Sequence, residues 1–148
     1  MTSERVTGGC LCGAVRIEAT GAPYRVGLCH CLDCRKRTGA LFWAGAVFPA
    51  GAVTVTGETR AWNADRFCPR CAEGAVYPER LLQAASRRGS HVVSRFGDET
   101  EVHLGTLDEP DRFSPTYECW TVRREGWLPA FAGVRGYERD REGGGREE

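Results

Sequence analysis

The chain has 148 residues, of which 20 are basic and 20 are acidic, so its formal net charge is zero. This length suits one domain with its own core, and the charge balance gives no reason to expect binding to nucleic acid or to an anionic membrane. No apolar run approaches the roughly 20 residues that a membrane-spanning helix needs. The polar start of the chain, residues 1–9, lacks the apolar stretch of a secretory signal, and we therefore expect a cytoplasmic protein.

Short apolar patches separated by turn residues predict a mainly β domain. Residues 32–38 are polar, precede Gly39 and predict a short helix. Two hairpins are expected, one around Gly57-Glu58 and one around Gly97-Asp98. The predicted strands cover residues 14–19, 24–29, 41–48, 53–56, 59–62, 91–96, 100–104 and 117–122.

Two segments differ in character from this β pattern. Residues 72–88 contain strong helix formers and predict a helix that begins at Pro78 and ends before Gly89. The charged, Gly-rich tail, residues 139–148, is typical of disorder. We therefore expect one domain over residues 1–138, followed by a disordered tail.

Seven of the eight cysteines fall into three tight clusters. In a cytosolic chain such spacing favours metal binding over disulfides. Four thiolates close a tetrahedral zinc site, whereas three leave one position open for water or substrate. The count of seven therefore predicts one closed structural zinc and one open zinc with catalytic potential. The clusters are C-x-C at Cys10 and Cys12, C-H-C-x-x-C at Cys29, Cys31 and Cys34, and C-P-R-C at Cys68 and Cys71.

The C-P-R-C turn needs a partner pair, and the C-x-C pair at Cys10 and Cys12 is the best available one, which leaves the C-H-C-x-x-C cluster as the open site. His30 lies between two of its cysteines, but alternate side chains of an extended segment face opposite ways. We therefore expect His30 to be a polar neighbour of the ligands. Residues 35–37 are basic, so they form a solvated face or attract an anionic substrate. Cys119 stands alone, and we expect it to be a small core residue.

The ordered motifs resemble the glutathione-dependent formaldehyde-activating enzyme family, also called the CENP-V/GFA domain. The resemblance extends from about Gly8 to Tyr137. In that family C-x-x-C usually runs directly into Gly-Ser or Gly-Thr, whereas here Gly89-Ser90 follows residues 72–88, which the resemblance therefore marks as an insertion. The family also often has histidine where this chain has Glu118. The matching segments are G-C-L-C-G-A-V from Gly9, C-H-C-L-D-C-R from Cys29, T-G-A from Thr38, F-C-P-R-C from Phe67, L-G-T-L-D from Leu104, W-T from Trp120 and W-L from Trp127.

The resemblance implies an Mss4-like, zinc-binding β-sheet domain with short helical turns and one inserted helix. It implies two zinc ions, a structural one on Cys10, Cys12, Cys68 and Cys71 and a catalytic one on Cys29, Cys31 and Cys34.

The activity implied by the family is that of a carbon–sulfur lyase, which joins formaldehyde to glutathione to give S-hydroxymethylglutathione. The expected partner is a small molecule, and the protein acts as a monomer or a homodimer. An open three-thiolate site is expected to recruit a substrate or cofactor sulfur, with Arg35 offsetting its negative charge.

Two other functions stay open at this point. One is a different zinc-dependent lyase or isomerase that acts on a specialised metabolite without glutathione. The other is a non-catalytic, zinc-stabilised binding module, in which a fourth protein ligand would close the second site.

Overall fold

A computed structural model describes residues 4–72 and 91–141 of the chain, and in these residues it forms eleven strands in two sheets. The predicted mainly β fold is therefore confirmed. The strands are β1 (Arg5–Gly9), β2 (Arg16–Thr20), β3 (Arg25–Cys29), β4 (Trp43–Pro49), β5 (Val53–Thr56), β6 (Arg60–Trp62), β7 (Asp65–Phe67), β8 (His91–Phe96), β9 (Glu99–His103), β10 (Tyr117–Cys119) and β11 (Arg135–Gly136). The helices are α1 (Leu32–Thr38) and α2 (Pro69–Ala72), with 3-10 turns at Ala50–Ala52, Leu104–Thr106, Pro110–Arg112 and Thr121–Arg123.

The hydrophobic core lies between the two sheets. The small sheet has the order β1-β2-β5, and the large sheet has the order β11-β10-β3-β4-β9-β8-β7-β6. Ile17 and Val53 of the small sheet share one buried cluster with Phe48, Val93 and Val102 of the large sheet. Strands β2 and β9 alternate buried and more exposed residues, as expected for strands with one face on a core. The opposite face of the large sheet carries polar and aromatic side chains, such as Trp43 and Glu101.

One of the two expected hairpins is present, and the prediction of the other is wrong. Strands β8 and β9 pair with Phe96 opposite Glu99, which confirms the hairpin around Gly97-Asp98. Strand β5 instead pairs with β2, and β6 pairs with β7 in the other sheet. Pairing with β2 buries Val53 in the core. The free energy gained by this burial outweighs the preference of Gly57-Glu58 for a hairpin turn. Strands β1, β7 and β11 were not predicted.

The end of the chain also differs from expectation. The strand predicted over residues 117–122 ends at Cys119, because Trp120 adopts a left-handed conformation with φ 58° and a 3-10 turn follows. The backbone N–H of Trp120 donates to the carbonyl of Arg139 at 3.1 Å, and its indole N–H donates to Asp140 Oδ1 at 2.8 Å. Arg139 and Asp140, at the start of the tail, thus contact Trp120, and the disorder expected over residues 139–148 stays a prediction.

Two sequence predictions fall on residues that the structure does not describe. The helix predicted from Pro78 lies outside the described residues, as do residues 142–148 of the tail. Within the described parts of the chain, none of the helices has the length and apolar character needed to span a membrane.

Candidate metal centres

The first cysteine set joins the two sheets. Cys10 and Cys12 lie in the turn between β1 and β2, while Cys68 and Cys71 lie where β7 runs into α2. All four sulfur atoms lie within 4.8 Å of one another. The Sγ atoms of Cys10 and Cys12 are 3.5 Å apart, and those of Cys12 and Cys68 are 3.6 Å apart. Two sulfurs on one tetrahedral zinc would be about 3.8 Å apart at a Zn–S distance of about 2.3 Å, so this set fits a zinc ion.

The electrostatics of this set also favour a cation. Burial, together with the neighbouring thiols, raises the pKa of Cys68 to about 12. Burial would also raise the pKa of Cys10, but the Val15 N–H at 3.3 Å and the Cys68 and Cys12 thiols outweigh it, so this pKa is lowered. Crowded thiols oppose one another's ionisation, and a bound metal removes that opposition because it binds the thiolate forms.

The second set forms where β3 meets α1. Cys29 is the last residue of β3, Cys31 is the N-cap of α1, and Cys34 lies within the helix. Their sulfurs lie within 4.8 Å of one another, and the backbone N–H of Cys34 donates to Cys31 Sγ at 3.3 Å. Cys31 chiefly raises the pKa of Cys29, to about 12, and the other two thiols raise that of Cys34. Among the described residues, the set has three members and no fourth ligand joins it.

His30 lies between two members of this set but contacts a different group. Its ring is fully buried, with Nε2 2.9 Å from Glu118 Oε2. The other oxygen of Glu118 pairs with Arg124. Glu118, on the adjacent strand β10, therefore holds His30 in place.

Arg35 and Cys119 also lie close to the second set. Arg35 Nη1 is 3.5 Å from Glu125 Oε1, so part of its charge is already balanced, and its role beside the thiolates stays a prediction. Cys119 is buried, sits opposite Cys29 in the β3–β10 register, and packs with Cys31 and Trp120. Sequence reasoning missed this proximity, because nothing in the local sequence shows that β10 pairs with β3.

A cavity of about 620 Å³ opens beside Cys29 and Cys34. Two aromatic rings, those of Trp43 and Tyr117, line it and lie over glycines of the large sheet. A Cβ atom at Gly45 would be 2.1 Å from the Trp43 ring, and one at Gly27 would be 2.3 Å from the Tyr117 ring. Glycine at both positions therefore lets the rings lie against the backbone.

A half-buried histidine fixes one of these rings. The indole N–H of Trp43 donates to His103 Nε2 at 3.0 Å. Burial lowers the pKa of His103 to about 3, so its imidazole is neutral and Nε2 can accept this hydrogen bond. Neither side chain was recognised as part of a site from the sequence.

Polar residues line the opposite end of the cavity. Arg37, on α1, reaches Asp65 Oδ1 at 3.3 Å and Glu101 Oε2 at 3.8 Å. Ser94 Oγ donates to Asp65 Oδ1 at 2.7 Å, and His91 Nε2 lies 3.3 Å from the same oxygen. Burial would raise the pKa of Asp65, but these hydrogen bonds and charges outweigh it and lower the pKa. Arg37 is thus committed to two carboxyl groups, which weakens the expectation that the basic run attracts an anion.

Comparisons with known proteins identify the family of this chain. The family model described as glutathione-dependent formaldehyde-activating enzyme matches residues 5–123. A crystal structure of a Rhodobacter sphaeroides protein is similar, with 20% identity, a TM-score of 0.46, and coverage of 74% of this chain and 91% of that chain. A comparison with curated proteins found no match. Because the family model spans most of the chain and both cysteine sets, this protein belongs to the glutathione-dependent formaldehyde-activating enzyme family.

Proposed function

We propose that this protein adds a low-molecular-weight thiol, such as glutathione, to formaldehyde or another small carbonyl compound. The observation that carries this proposal is the set of Cys29, Cys31 and Cys34, which has three members among the described residues and borders a cavity of about 620 Å³. A closed structural site has four protein ligands, whereas a catalytic site keeps one position open. A cytoplasmic location, where cysteines stay reduced, suits this chemistry.

Two zinc ions belong to this proposal. Cys10, Cys12, Cys68 and Cys71 would hold the structural one, and the three-cysteine set would hold the other. When bound at the latter, zinc supplies an exchangeable position for a soft sulfur ligand and lowers the pKa of a thiol there.

The protein's own residues position the thiol and the carbonyl compound. The reaction forms one carbon–sulfur bond, opens the carbonyl double bond and moves the thiol proton to the carbonyl oxygen. Trp43 and Tyr117 form a rigid aromatic wall that shields the reactants from water and limits their orientations. The buried pair of His30 and Glu118 holds the Cys29–Cys31 turn in place, because His30 is covalently part of that turn.

The test compares Cys31→Ser with Cys119→Ser. Both cysteines are buried in the same cluster, but only Cys31 belongs to the three-cysteine set. Formation of S-hydroxymethylglutathione is followed by NMR exchange with ¹³C-formaldehyde, above the spontaneous rate. We expect Cys31→Ser to lose at least about a hundredfold in rate, as when a group central to the transition state is removed. Cys119→Ser should keep most of the activity.

Folding and coordination are measured on the same samples. Circular dichroism should show the fold of Cys31→Ser nearly intact, because the four-cysteine set is separate. X-ray absorption at the zinc edge should gain one sulfur ligand when thiol is added to the wild-type protein. Full activity of Cys31→Ser, or unchanged coordination at saturating thiol, would exclude this mechanism and favour the binding module.

A further inference from the structure

The cavity beside the cysteines is long. In the large sheet, Cys29 pairs with Trp43 and Glu101 pairs with Val47. Glu101 therefore lies two strands across and four residues along from Cys29. With strands about 4.8 Å apart and a rise of about 3.3 Å per residue, the two Cα atoms are about 16 Å apart. Both residues line the same cavity, which continues past β9 to Asp65 on β7 and Trp62 on β6. We call the part of the cavity around Glu101, Asp65, Trp62 and Phe96 its distal end.

The distal end combines carboxyl groups with accessible aromatic rings. Trp62 and Phe96 line it and are 54% and 44% exposed. Asp65 and Glu101 line it too, and Arg37 contacts both of them; its Nη2 lies 3.8 Å from Glu101 Oε2. That distance is beyond a hydrogen bond.

Among the described residues, Glu101 has weaker contacts than Asp65, which also accepts a hydrogen bond from Ser94 Oγ and lies 3.3 Å from His91 Nε2. Burial raises the pKa of Glu101 to about 7; Arg37 and Arg25 act to lower it, while Asp65 and Glu99 also raise it. Arg37 is shared between the two carboxyl groups and lies closer to Asp65, so among the described residues Glu101 has the weaker charge balance, although Lys36 also lines the cavity. Aromatic faces beside a carboxylate favour an organic cation, and Arg37 already lies over one of them, 6.0 Å from the centroid of the Phe96 ring.

We propose that the distal end of the cavity binds a positively charged amine at the far end of the thiol substrate, and that Glu101 is its main contact. This inference rests on the proposed function, because the substrate sulfur is taken to lie at the three-cysteine set. The favoured substrate class is an extended amino thiol, with its ammonium group about 8–10 Å from the sulfur. This sulfur-to-ammonium distance is obtained from the Cα separation of about 16 Å between Cys29 and Glu101 by subtracting the length of the side chains at each end.

The test uses three thiols of equal length on the zinc-loaded protein: 6-amino-1-hexanethiol, 6-mercapto-1-hexanol and 6-mercaptohexanoic acid. Calorimetry gives their dissociation constants, and X-ray absorption reports whether each adds a sulfur to zinc. We expect the amine to bind about tenfold more tightly than the alcohol, which corresponds to about 1.4 kcal/mol, and the acid to bind most weakly.

A matched pair of variants locates the effect. Glu101→Gln keeps the size of the side chain and should reduce the preference for the amine over the alcohol by about tenfold. Glu99→Gln is the control, because Glu99 lies two residues away on β9, pairs with Arg25 and does not line the cavity. Its preference should match that of the wild-type protein.

The outcomes separate this inference from the proposed function. Sulfur ligation by all three thiols without preference for the amine, or with preference for the acid, overturns the distal site and leaves the proposed function standing. Unchanged selectivity in Glu101→Gln also overturns it. If none of the three thiols adds a sulfur to zinc, the proposed function fails, and the distal site fails with it.

Discussion

Glu118 is a buried carboxyl group that contacts two partners at once, His30 on one oxygen and Arg124 on the other. Both Glu118 and His30 are about 1% exposed or less. Buried polar groups of this kind are costly unless they are paired. The arrangement holds the turn beside the cysteines in place, because His30 is part of that turn.

Replacing Glu118 with alanine should lower the free energy of unfolding by about 3 kcal/mol, because it leaves His30 and Arg124 without their common partner. The control is Glu125→Ala, which removes the longer contact of 3.5 Å to Arg35 and should cost about 1 kcal/mol or less. Urea unfolding measures both. Equal losses would show that the buried trio has no special contribution.

Glu101 should make stability depend on pH. Its pKa is about 7 in the folded protein, against 4.5 as the ordinary value, chiefly because of burial. At pH values between these two pKa values, Glu101 is more often protonated in the folded state than in the unfolded state. The free energy of unfolding therefore falls as pH rises. Arg37 and Arg25 limit the shift, whereas Asp65 and Glu99 increase it.

Between pH 5 and pH 8 the wild-type protein should therefore lose up to about 3 kcal/mol relative to Glu101→Gln. Urea unfolding of both proteins at the two pH values gives the difference. A difference that stays constant, or that changes in the opposite direction, would contradict the assigned environment of Glu101.

At the scale of elements, helix α1 connects the two ends of the cavity. It carries Cys34 at the metal set and Arg37, one turn later, at the distal carboxyl groups. Residues three apart on a helix share a face. The helix ends at Gly39, whose left-handed φ of 71° lets its N–H donate to the Arg35 carbonyl at 2.8 Å. Movement of α1 would thus change both ends of the cavity together.

Strands β7 and β8 are neighbours in the large sheet, and Phe67 at the end of β7 pairs with His91 at the start of β8. Deleting residues 72–88, to join Cys71 to Gly89, should therefore give a folded protein with two zinc ions. Because loop-closure entropy changes slowly with loop length, we expect the melting temperature to change by no more than about 5 °C.

Thermal unfolding and metal analysis check this deletion. Loss of activity with the fold retained would assign residues 72–88 a role at the cavity. Failure to fold would show that they are an integral part of the domain and not an insertion.

At the scale of the whole molecule, the two cysteine sets differ in depth. Cys10, Cys68 and Cys71 are buried and join the small sheet to the large one, whereas Cys29 and Cys34 are half-buried and border the cavity. Cys12 is half-buried and Cys31 is buried, so the sets differ mainly in that Cys29 and Cys34 reach the cavity. We therefore predict a structural role for the first set and a role at the cavity for the second.

Chelation of the protein as purified should therefore proceed in two phases. The first zinc equivalent should leave the three-cysteine set without a change in circular dichroism, and the second should leave only as the protein unfolds, because structural zinc contributes folding free energy. A colorimetric zinc indicator and circular dichroism follow the two events. Simultaneous release with unfolding, or a total of one equivalent, would contradict the assignment.

Several features of this protein were determined by its sequence alone, because they depend on short-range chemistry. The spacing of the cysteines limits which sulfurs can converge, and both predicted sets are brought together in the structure. The helix over Leu32–Thr38 was predicted with its observed bounds, since its polar residues and the C-terminal glycine act within one or two turns. The mainly β class and the β8–β9 hairpin follow from local alternation and turn residues.

Only the tertiary structure decided which distant strands pair, because sheet pairing depends on burial over the whole core. It placed β5 beside β2 and not beside β6, and it brought Cys119 next to Cys29. It also placed Arg37 between Asp65 and Glu101, residues that belong to two other strands. The charge and length of the cavity arise from these long-range contacts, whereas the metal-binding chemistry is already encoded in the spacing of the cysteines.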